Sequence, residues 1–220
     1  MGRLPHIKKT YLYNIKTALS VHPNCEFVLL NWNSQDGLDE WVQKHLRSYI
    51  TQGIVIYLKT DAPSVFNQAW TKNITCKAAR GEVVCTLDAD NFITSNFIKR
   101  ILAEYKTGSN HLLRCHGGPM AGRICMRRTS FLQLRGFDES LKGWGGEDAD
   151  FVARFKKFFK TREVKLGNTK AMFSDSCCGR ALKHKMVEHN GQKENSATSG
   201  ANLSAQNYIV NKAEWGELPS

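Results

Sequence analysis

The stretch Glu82-Val-Val-Cys-Thr-Leu-Asp-Ala-Asp-Asn91 decides the fold of this chain, because an apolar run rich in β-branched residues ends abruptly in two carboxylates. The run predicts a buried strand that delivers Asp88 and Asp90 to the edge of a sheet. Ligands of open α/β sheets bind outside the carboxyl ends of the strands, and carboxylate oxygens are suitable ligands for Mg²⁺ or Mn²⁺. An ordinary Asx turn after the strand is the alternative interpretation, since Asp often starts turns. A metal site at this place therefore needs support from other parts of the sequence.

Strand and helix patterns alternate around this stretch. Apolar spacing predicts helices over Ile7 to Leu19, Leu38 to Ile50 and Phe66 to Arg80. Strands are predicted over Glu26 to Trp32 and over Gly53 to Thr60. The alternation indicates βαβ units, a largely parallel sheet and the α/β fold class. At 220 residues the chain is long enough for one good-sized core, so we expect a single domain.

Positive charge is concentrated towards the C-terminal end. The formal net charge is +11, and residues 151–190 carry ten Lys and Arg against three Asp and Glu. Such a segment can attract nucleic acid, anionic lipid head groups or nucleotide phosphates, while a solvated helix face explains any single lysine equally well. After Lys165 the sequence is polar and poorly periodic. We therefore expect the folded domain to cover 1–190 and a polar C-terminal tail to cover 191–220, mobile over Gln192 to Asn202.

Composition and cysteine content indicate a cytoplasmic protein. No apolar run approaches the length of a membrane span, and the N-terminal residues lack the apolar region and the cleavage site of a secretory signal. The seven cysteines are an odd number and include no Cys-x-x-Cys pair. We therefore expect reduced thiols and no zinc site.

The most unusual segment is Gly136-Phe-Asp-Glu-Ser-Leu-Lys-Gly-Trp-Gly-Gly-Glu-Asp-Ala-Asp-Phe151. Three glycines surround Trp144, and three carboxylates follow at the predicted start of a helix. Acidic residues are favoured at any helix N-terminus by capping and by the helix dipole. That explanation accounts for the carboxylates but not for Trp144 between glycines, so this segment is a second candidate site.

These segments together resemble a known family. Leu87-Asp-Ala-Asp-Asn91, with Gly136-Phe-Asp-Glu139 and Gly143-Trp-Gly-Gly-Glu-Asp-Ala-Asp150, resembles nucleotide-sugar glycosyltransferases of the GT-A fold. The last segment is similar to one in beta-galactosyltransferases and polypeptide N-acetylgalactosaminyltransferases. Phe66-Asn-Gln-Ala69 resembles the donor-contacting Phe-Asn-Arg-Ala of the galactosyltransferases, with Gln68 in place of the arginine, and Lys72-Asn73 is similar to a helix of bacterial relatives. The resemblance implies a single-domain, Rossmann-like mixed sheet flanked by helices.

The resemblance also implies a role for each matching residue. Asp90 would ligate Mn²⁺ or Mg²⁺, Asp88 would contact the metal or the donor ribose, and the metal would neutralise the donor diphosphate. Asp148 would act as the general base for the acceptor hydroxyl, and Glu147 would orient the acceptor. Trp144 would offer an apolar face to a sugar ring, on a glycine loop that permits motion. The implied donor-binding residues are Asp88, Phe66, Gln68, Lys72, Asn73 and Trp144.

Two features of the family have no clear counterpart in the sequence. The family's first strand precedes the first helix and lies in the middle of the sheet, beside the strand of Glu26 to Trp32. We expect the chain to lack it and to be an N-terminally shortened form. The histidine that serves as third metal ligand is replaced by Phe173, which leaves His184 and His189 as substitutes or as surface residues.

We therefore predict a metal-dependent hexosyl- or N-acetylhexosaminyltransferase. It would move a sugar from a nucleotide-sugar donor, UDP-linked by the resemblance, to a hydroxyl acceptor with inversion. A saccharide or lipid-linked acceptor would bring the basic segment into peripheral contact with the inner face of the membrane. One alternative is a degenerate glycosyltransferase scaffold without turnover. Another is a basic module that binds nucleic acid or an anionic surface, which explains the charge but neither acidic motif.

Overall fold

The structure is a computed structural model that describes residues 2–62, 65–115, 122–143, 145–166 and 191–219. Its helices are α1 (Leu4–Leu19), α2 (Leu38–His45), α3 (Arg47–Thr51), α4 (Gln68–Ala78), α5 (Ser95–Lys106), α6 (Arg128–Gln133), α7 (Glu147–Phe158) and α8 (Gln192–Ser204). Its strands are β1 (Phe27–Trp32), β2 (Val55–Thr60), β3 (Val83–Cys85), β4 (Leu112–Cys115), β5 (Ile124–Arg127) and β6 (Glu163–Leu166). Helices and strands alternate from α1 to β4, as the sequence predicts. The helix predicted over Leu38 to Ile50 is two helices, because Leu46 leaves the helical backbone with a φ of −114°.

The strands form two sheets within the described residues. β1 and β2 pair in parallel, from Phe27 opposite Val55 to Trp32 opposite Thr60. The second sheet has the order β3-β5-β4-β6, in which β5 is antiparallel to both neighbours and β4 is parallel to β6. The expectation of a largely parallel sheet is wrong for this half, whereas the mixed sheet flanked by helices is confirmed. Residues 116–123 join β4 to β5 and are fewer than the dozen or so that a parallel crossover needs, so the chain must reverse.

A groove separates the facing edges of β1 and β3. It has a volume of about 550 Å³ and is lined by both strands and by α1, α4 and α5. Among the described residues, β1 pairs only with β2, and β3 pairs only with β5. Glu26 ties the two sheets together at one end, since its carboxylate accepts the N–H of Gly81 (2.8 Å) and pairs with the Arg80 guanidinium (2.8 Å). The groove therefore lies along the edge of β1 that has no strand partner among the described residues.

The main core contains the buried face of α7. Phe151, Val152 and Phe155 recur at helical spacing and are buried, which gives α7 an apolar face. Phe151 stacks on Phe137 with ring centroids 4.3 Å apart. This packing fixes the orientation of α7 relative to the loop that precedes it. No helix among the described residues is long and apolar enough to cross a membrane.

The C-terminal segment belongs to the same domain. Trp215, which is 7% exposed, packs edge-on against Phe131 in the main core, with ring centroids 5.5 Å apart. Residues 192–204, expected to be part of a polar tail, form the helix α8, while the boundary predicted at residue 190 stays a prediction. Polar contacts hold α8 in place, and such contacts leave no apolar periodicity in the sequence.

Candidate active site

The segment after β3 carries the first acidic motif, and buried hydrogen bonds fix its backbone. The Thr86 hydroxyl donates to the Gly122 carbonyl (2.6 Å) and accepts the N–H of Ile124 (3.1 Å), which ties the strand end to β5. The N–H of Asn91 then donates to the Asp88 carbonyl (3.0 Å) and closes a turn. The backbone carbonyl of Asp88, and not its side chain, closes this turn, so it differs from the Asx turn of the alternative interpretation. Because a backbone hydrogen bond closes it, the turn is compatible with a metal site.

Arg123 supports this turn, although the sequence analysis did not select it. Its fully buried guanidinium donates to Asn91 Oδ1 (3.0 and 2.8 Å) and to the Phe92 carbonyl (2.7 Å). Asn14 of α1 donates to the Asn91 carbonyl (2.9 Å) and accepts the N–H of Ile93 (2.9 Å). The acidic turn is thus held from two sides by residues that carry no local sequence signal.

The second acidic motif lies at the start of α7. Glu147 and Asp148 occupy the first turn of α7, and both pair with Lys72 of α4. Lys72 Nζ lies 3.0 Å from Glu147 Oε1 and 2.7 Å from Asp148 Oδ1. The three side chains are 13%, 9% and 19% exposed in that order, so these ion pairs are shielded from water. Lys72, which is predicted to bind the donor and lines the groove, thus also pairs with both residues of the predicted catalytic pair.

The two acidic motifs meet at Gly122. A Cβ atom added to Gly122 would stand 3.0 Å from Asp88 Oδ2 and 3.3 Å from Asp148 Oδ2. The two carboxylates therefore face each other across a residue that has no side chain. The sequence analysis did not select Gly122, whose only local feature is its position just before β5. The missing side chain keeps open the space between the carboxylates.

The site carries more negative than positive charge. Burial raises the pKa of Asp88 and of Asp148, and neighbouring carboxylates add to the rise while Lys72 opposes it. Burial alone would lower the pKa of Lys72, but Asp148, Glu147 and Asp88 outweigh burial and hold that pKa well above its ordinary value. Among the described residues, two cations, Lys72 and Arg114, thus act on a site with four carboxylates, those of Asp88, Asp90, Glu147 and Asp148. This imbalance favours the binding of a further cation.

The available ligands suit a hard divalent cation. Asp88 and Asp90 supply carboxylate oxygens after β3, and Asp90 accepts the side-chain N–H of Asn91 (2.7 Å). The described residues contain no group of three or more His, Cys, Asp or Glu side chains placed to hold a metal by themselves. One or two carboxylates are nevertheless the common protein share of a Mg²⁺ site, whose other ligands are substrate phosphates and water. The third-ligand candidates His184 and His189, like Phe173, lie outside the described residues.

The remaining predicted donor-binding residues lie in different places, some in the groove and one in the core. Phe66 and Gln68 line the groove, which extends to Lys72 and Asp88, and Gln68 Oε1 is buried without a hydrogen-bond partner. Asn73 is fully buried, donates to the Phe137 carbonyl (2.8 Å) and accepts the Phe137 N–H (2.8 Å). The structure thus gives Asn73 a structural role. Trp144 lies outside the described residues.

Comparison with known proteins identifies the fold that brings these residues together. Residues 113–170 match the family model described as the N-terminal domain of galactosyltransferase, and no curated protein sequence matches the chain. A mannosyltransferase from Pyrobaculum calidifontis is 14% identical, with a TM-score of 0.63 over 94% of this chain and 73% of that chain. S. aureus TarS is 15% identical, with a TM-score of 0.58 over 95% of this chain and 73% of that chain. The chain has the GT-A glycosyltransferase fold.

The GT-A glycosyltransferase fold agrees with the resemblance read from the two motifs. The galactosyltransferase match includes Glu147 and Asp148 and does not extend to Asp88. The shared fold, together with the match over residues 113–170, supports the prediction of a glycosyltransferase.

Proposed function

We propose that this protein is a metal-dependent glycosyltransferase that moves a sugar from a UDP-linked donor to a hydroxyl group of an acceptor. The observation that carries the proposal is the approach of Asp88 and Asp148 across Gly122. Asp88 lies after β3, where a cation and a donor diphosphate can bind, and Asp148 is a carboxylate that can act as a base. Their approach brings these two functions into one site. Two proteins of the same fold support the donor class: TarS was solved with UDP, and the Pyrobaculum mannosyltransferase with GDP-Man and Mn²⁺.

The proposed reaction is a single displacement. Asp88 and Asp90 would hold a divalent metal, which neutralises the charge that builds on the departing diphosphate. The acceptor oxygen attacks the anomeric carbon and gives its proton to Asp148. The bond from that carbon to the diphosphate breaks, the nucleoside diphosphate leaves with the electron pair, and the anomeric configuration inverts. Because Lys72 holds Oδ1 of Asp148, the oxygen that faces Asp88, Oδ2, receives the proton.

The neighbours of Asp148 suit it to this role. Burial raises the pKa of Asp148 while Lys72 limits the rise, and a general base works best when its pKa is near the operating pH. Glu147 shares Lys72 and is the adjacent group that would orient the acceptor hydroxyl. Phe66 and Gln68, at the edge of the groove, are the proposed contacts of the donor.

The test is the release of UDP from a set of UDP-sugars in the presence of Mn²⁺. Asp148→Asn is expected to lower turnover by at least about 10²-fold, the lower range for loss of a general base. Its affinity for UDP, measured by calorimetry, should be unchanged because Asp148 is not a proposed metal ligand. Asp61→Asn is the matched control, since Asp61 is an exposed acid outside the site.

Other outcomes separate the competing functions. Parental turnover in Asp148→Asn would exclude this residue as the base. Mn²⁺-dependent UDP binding without UDP release from any donor would favour the degenerate scaffold. Nucleotide binding that Asp90→Asn leaves intact would remove Asp90 from the proposed metal ligands.

The proposed acceptor is a saccharide or a lipid-linked molecule at the inner face of the membrane. The support for a membrane partner is a set of exposed lysines, Lys156, Lys157 and Lys160, on α7 and just after it. These side chains lie opposite the buried Phe151 and Phe155. Exposed lysines near an anionic surface each contribute about 1 kcal/mol of attraction.

A further inference from the structure

The start of α8 packs against the glycine turn that precedes Glu147. A Cβ atom on Gly145 would stand 2.5 Å from Gln192 Oε1, and one on Gly146 would stand 3.0 Å from Asn195 Cβ. On the other side of the contact, a Cβ atom on Gly191 would stand 2.0 Å from the Lys142 carbonyl oxygen. The glycines of this turn, which the sequence analysis read as a source of motion, thus permit close approach of α8.

Asn195 makes the central contact. Asn195 is only 5% exposed. Its amide nitrogen donates to the carbonyls of Lys142 (2.8 Å) and Gly145 (2.7 Å). Its amide oxygen accepts the N–H of Lys142 (3.1 Å). Both amide hydrogens and the amide oxygen are therefore used by the backbone of the turn. No aliphatic or acidic side chain can make the same three bonds.

At the start of α7, the described residues of the turn supply no side-chain cap to the helix. Gly146 is the N-cap of α7, has a φ of +93° and supplies no side-chain hydrogen bond to the helix. Glu147 and Asp148 follow directly. Their backbone position thus depends on contacts that come from outside the turn, and Asn195 provides three of them.

We propose that Asn195 is a positioning residue for Glu147 and Asp148. It fixes the backbone of Lys142 and of Gly145 and thereby the first turn of α7, whose carboxylates meet Lys72. The catalytic consequence rests on the proposed function, since it assumes that Asp148 is the base. Small displacements of a catalytic group lower turnover steeply, by up to about 10²-fold for about 1 Å.

The experiment compares Asn195→Asp and Asn195→Ala with Ser196→Ala. Aspartate has nearly the shape of asparagine but cannot donate to two carbonyls, so it separates hydrogen bonding from packing. Ser196 is an exposed neighbour on α8 and serves as the control. Three quantities are measured: amide hydrogen exchange over residues 143–148, kcat for UDP release, and UDP affinity with Mn²⁺.

We expect faster exchange over residues 143–148 and a kcat lowered by about 10-fold to 10²-fold in both Asn195 variants. UDP affinity should remain at the parental level, because the proposed metal ligands Asp88 and Asp90 follow β3, whereas Asn195 bonds to Lys142 and Gly145. Ser196→Ala should match the parent in all three measurements. The split between kcat and UDP affinity distinguishes positioning from a general loss of folding.

Parental exchange over residues 143–148 in Asn195→Asp would overturn the proposal, whatever the activity. Faster exchange with parental kcat would overturn the positioning role and leave the contact as a matter of stability alone. Exchange is measured without a donor, so it also decides the contact if the parent protein releases no UDP. That last result would instead count against the proposed function.

Discussion

The carboxylate of Glu26 links the two sheets at one end of the groove. Its side chain is 16% exposed, accepts the backbone N–H groups of Arg80 and Gly81, and pairs with the Arg80 guanidinium. Burial raises the pKa of Glu26, but the bonds from Arg80 and Gly81 outweigh burial and hold it below its ordinary value. A lowered folded-state pKa means that the carboxylate adds stability above the unfolded-state pKa of about 4.3. That stability is lost as the pH falls through the folded-state pKa.

We expect Glu26→Gln to lower the free energy of unfolding at pH 7 by about 1–2 kcal/mol. The backbone N–H bonds to a charged acceptor account for most of this, since Arg80 is 63% exposed and its ion pair is screened. The loss should shrink as the pH falls below about 4.3, because the parental carboxylate then becomes protonated. Urea unfolding over a series of pH values measures both effects.

Glu82→Gln is the control for this prediction. Glu82 also pairs with an arginine, Arg127, but its side chain is 77% exposed, so its removal should change stability by less than about 1 kcal/mol. Equal losses in the two variants would contradict the assignment of Glu26 as the link between the sheets.

Among the elements, α7 combines an active-site end with a basic side. Lys156, Lys157 and, just beyond the helix, Lys160 are exposed. We expect the protein to sediment with anionic vesicles at low salt and to be released near 0.1 M salt, where exposed charges are screened within about 10 Å. Substitution of the three lysines by glutamine should weaken this binding and leave UDP affinity unchanged.

The matched control for α7 lies on α1, where Lys8, Lys9 and Lys16 are also exposed. Their substitution by glutamine changes the net charge equally. Similar weakening by both triple variants would indicate non-specific attraction by total charge. If the parent protein does not bind anionic vesicles at low salt, the α7 lysines form an ordinary solvated helix face.

At the scale of the whole molecule, the edges of β1 and β3 that line the groove have no strand partner among the described residues. Buried backbone groups without a hydrogen bond cost about 1–3 kcal/mol each, so a few of them rival a total stability of roughly 5–15 kcal/mol. Three buried side-chain atoms have no hydrogen-bond partner within the part of the chain that the structure describes, and their residues line the groove: Arg3 Nη1, Tyr11 Oη and Gln68 Oε1. The N–H of Gly2 donates to Ser34 Oγ (3.0 Å), just beyond the carboxyl end of β1. A strand joined ahead of Gly2 would therefore lie in the groove parallel to β1.

We expect a six-residue apolar, β-branched extension ahead of Gly2 to raise the melting temperature and the solubility, and to tighten UDP binding. It should also slow the amide exchange of β1 and β3, because it completes their hydrogen bonding. The same extension with a central proline is the control, since proline removes a ladder donor. A parent with a cooperative melt and slow exchange at both edges, unchanged by the extension, would show that the sheets close without it.

The sequence by itself determined the alternation of elements, the strand that precedes Asp88, the apolar face of α7 and, through its motifs, the GT-A fold. These features are local, because an apolar run or stripe is complete within one element. Only the tertiary structure decided the reversal at β5, the pairing of Lys72 with Asp148, the burial of Asn73 and the docking of α8. The same is true of the meeting of Asp88 with Asp148 at Gly122. These contacts join polar groups that are distant in the chain, as Asn195 is from Lys142 by 53 residues, and such groups follow no period. Their partners are set only when the packed core brings two elements together.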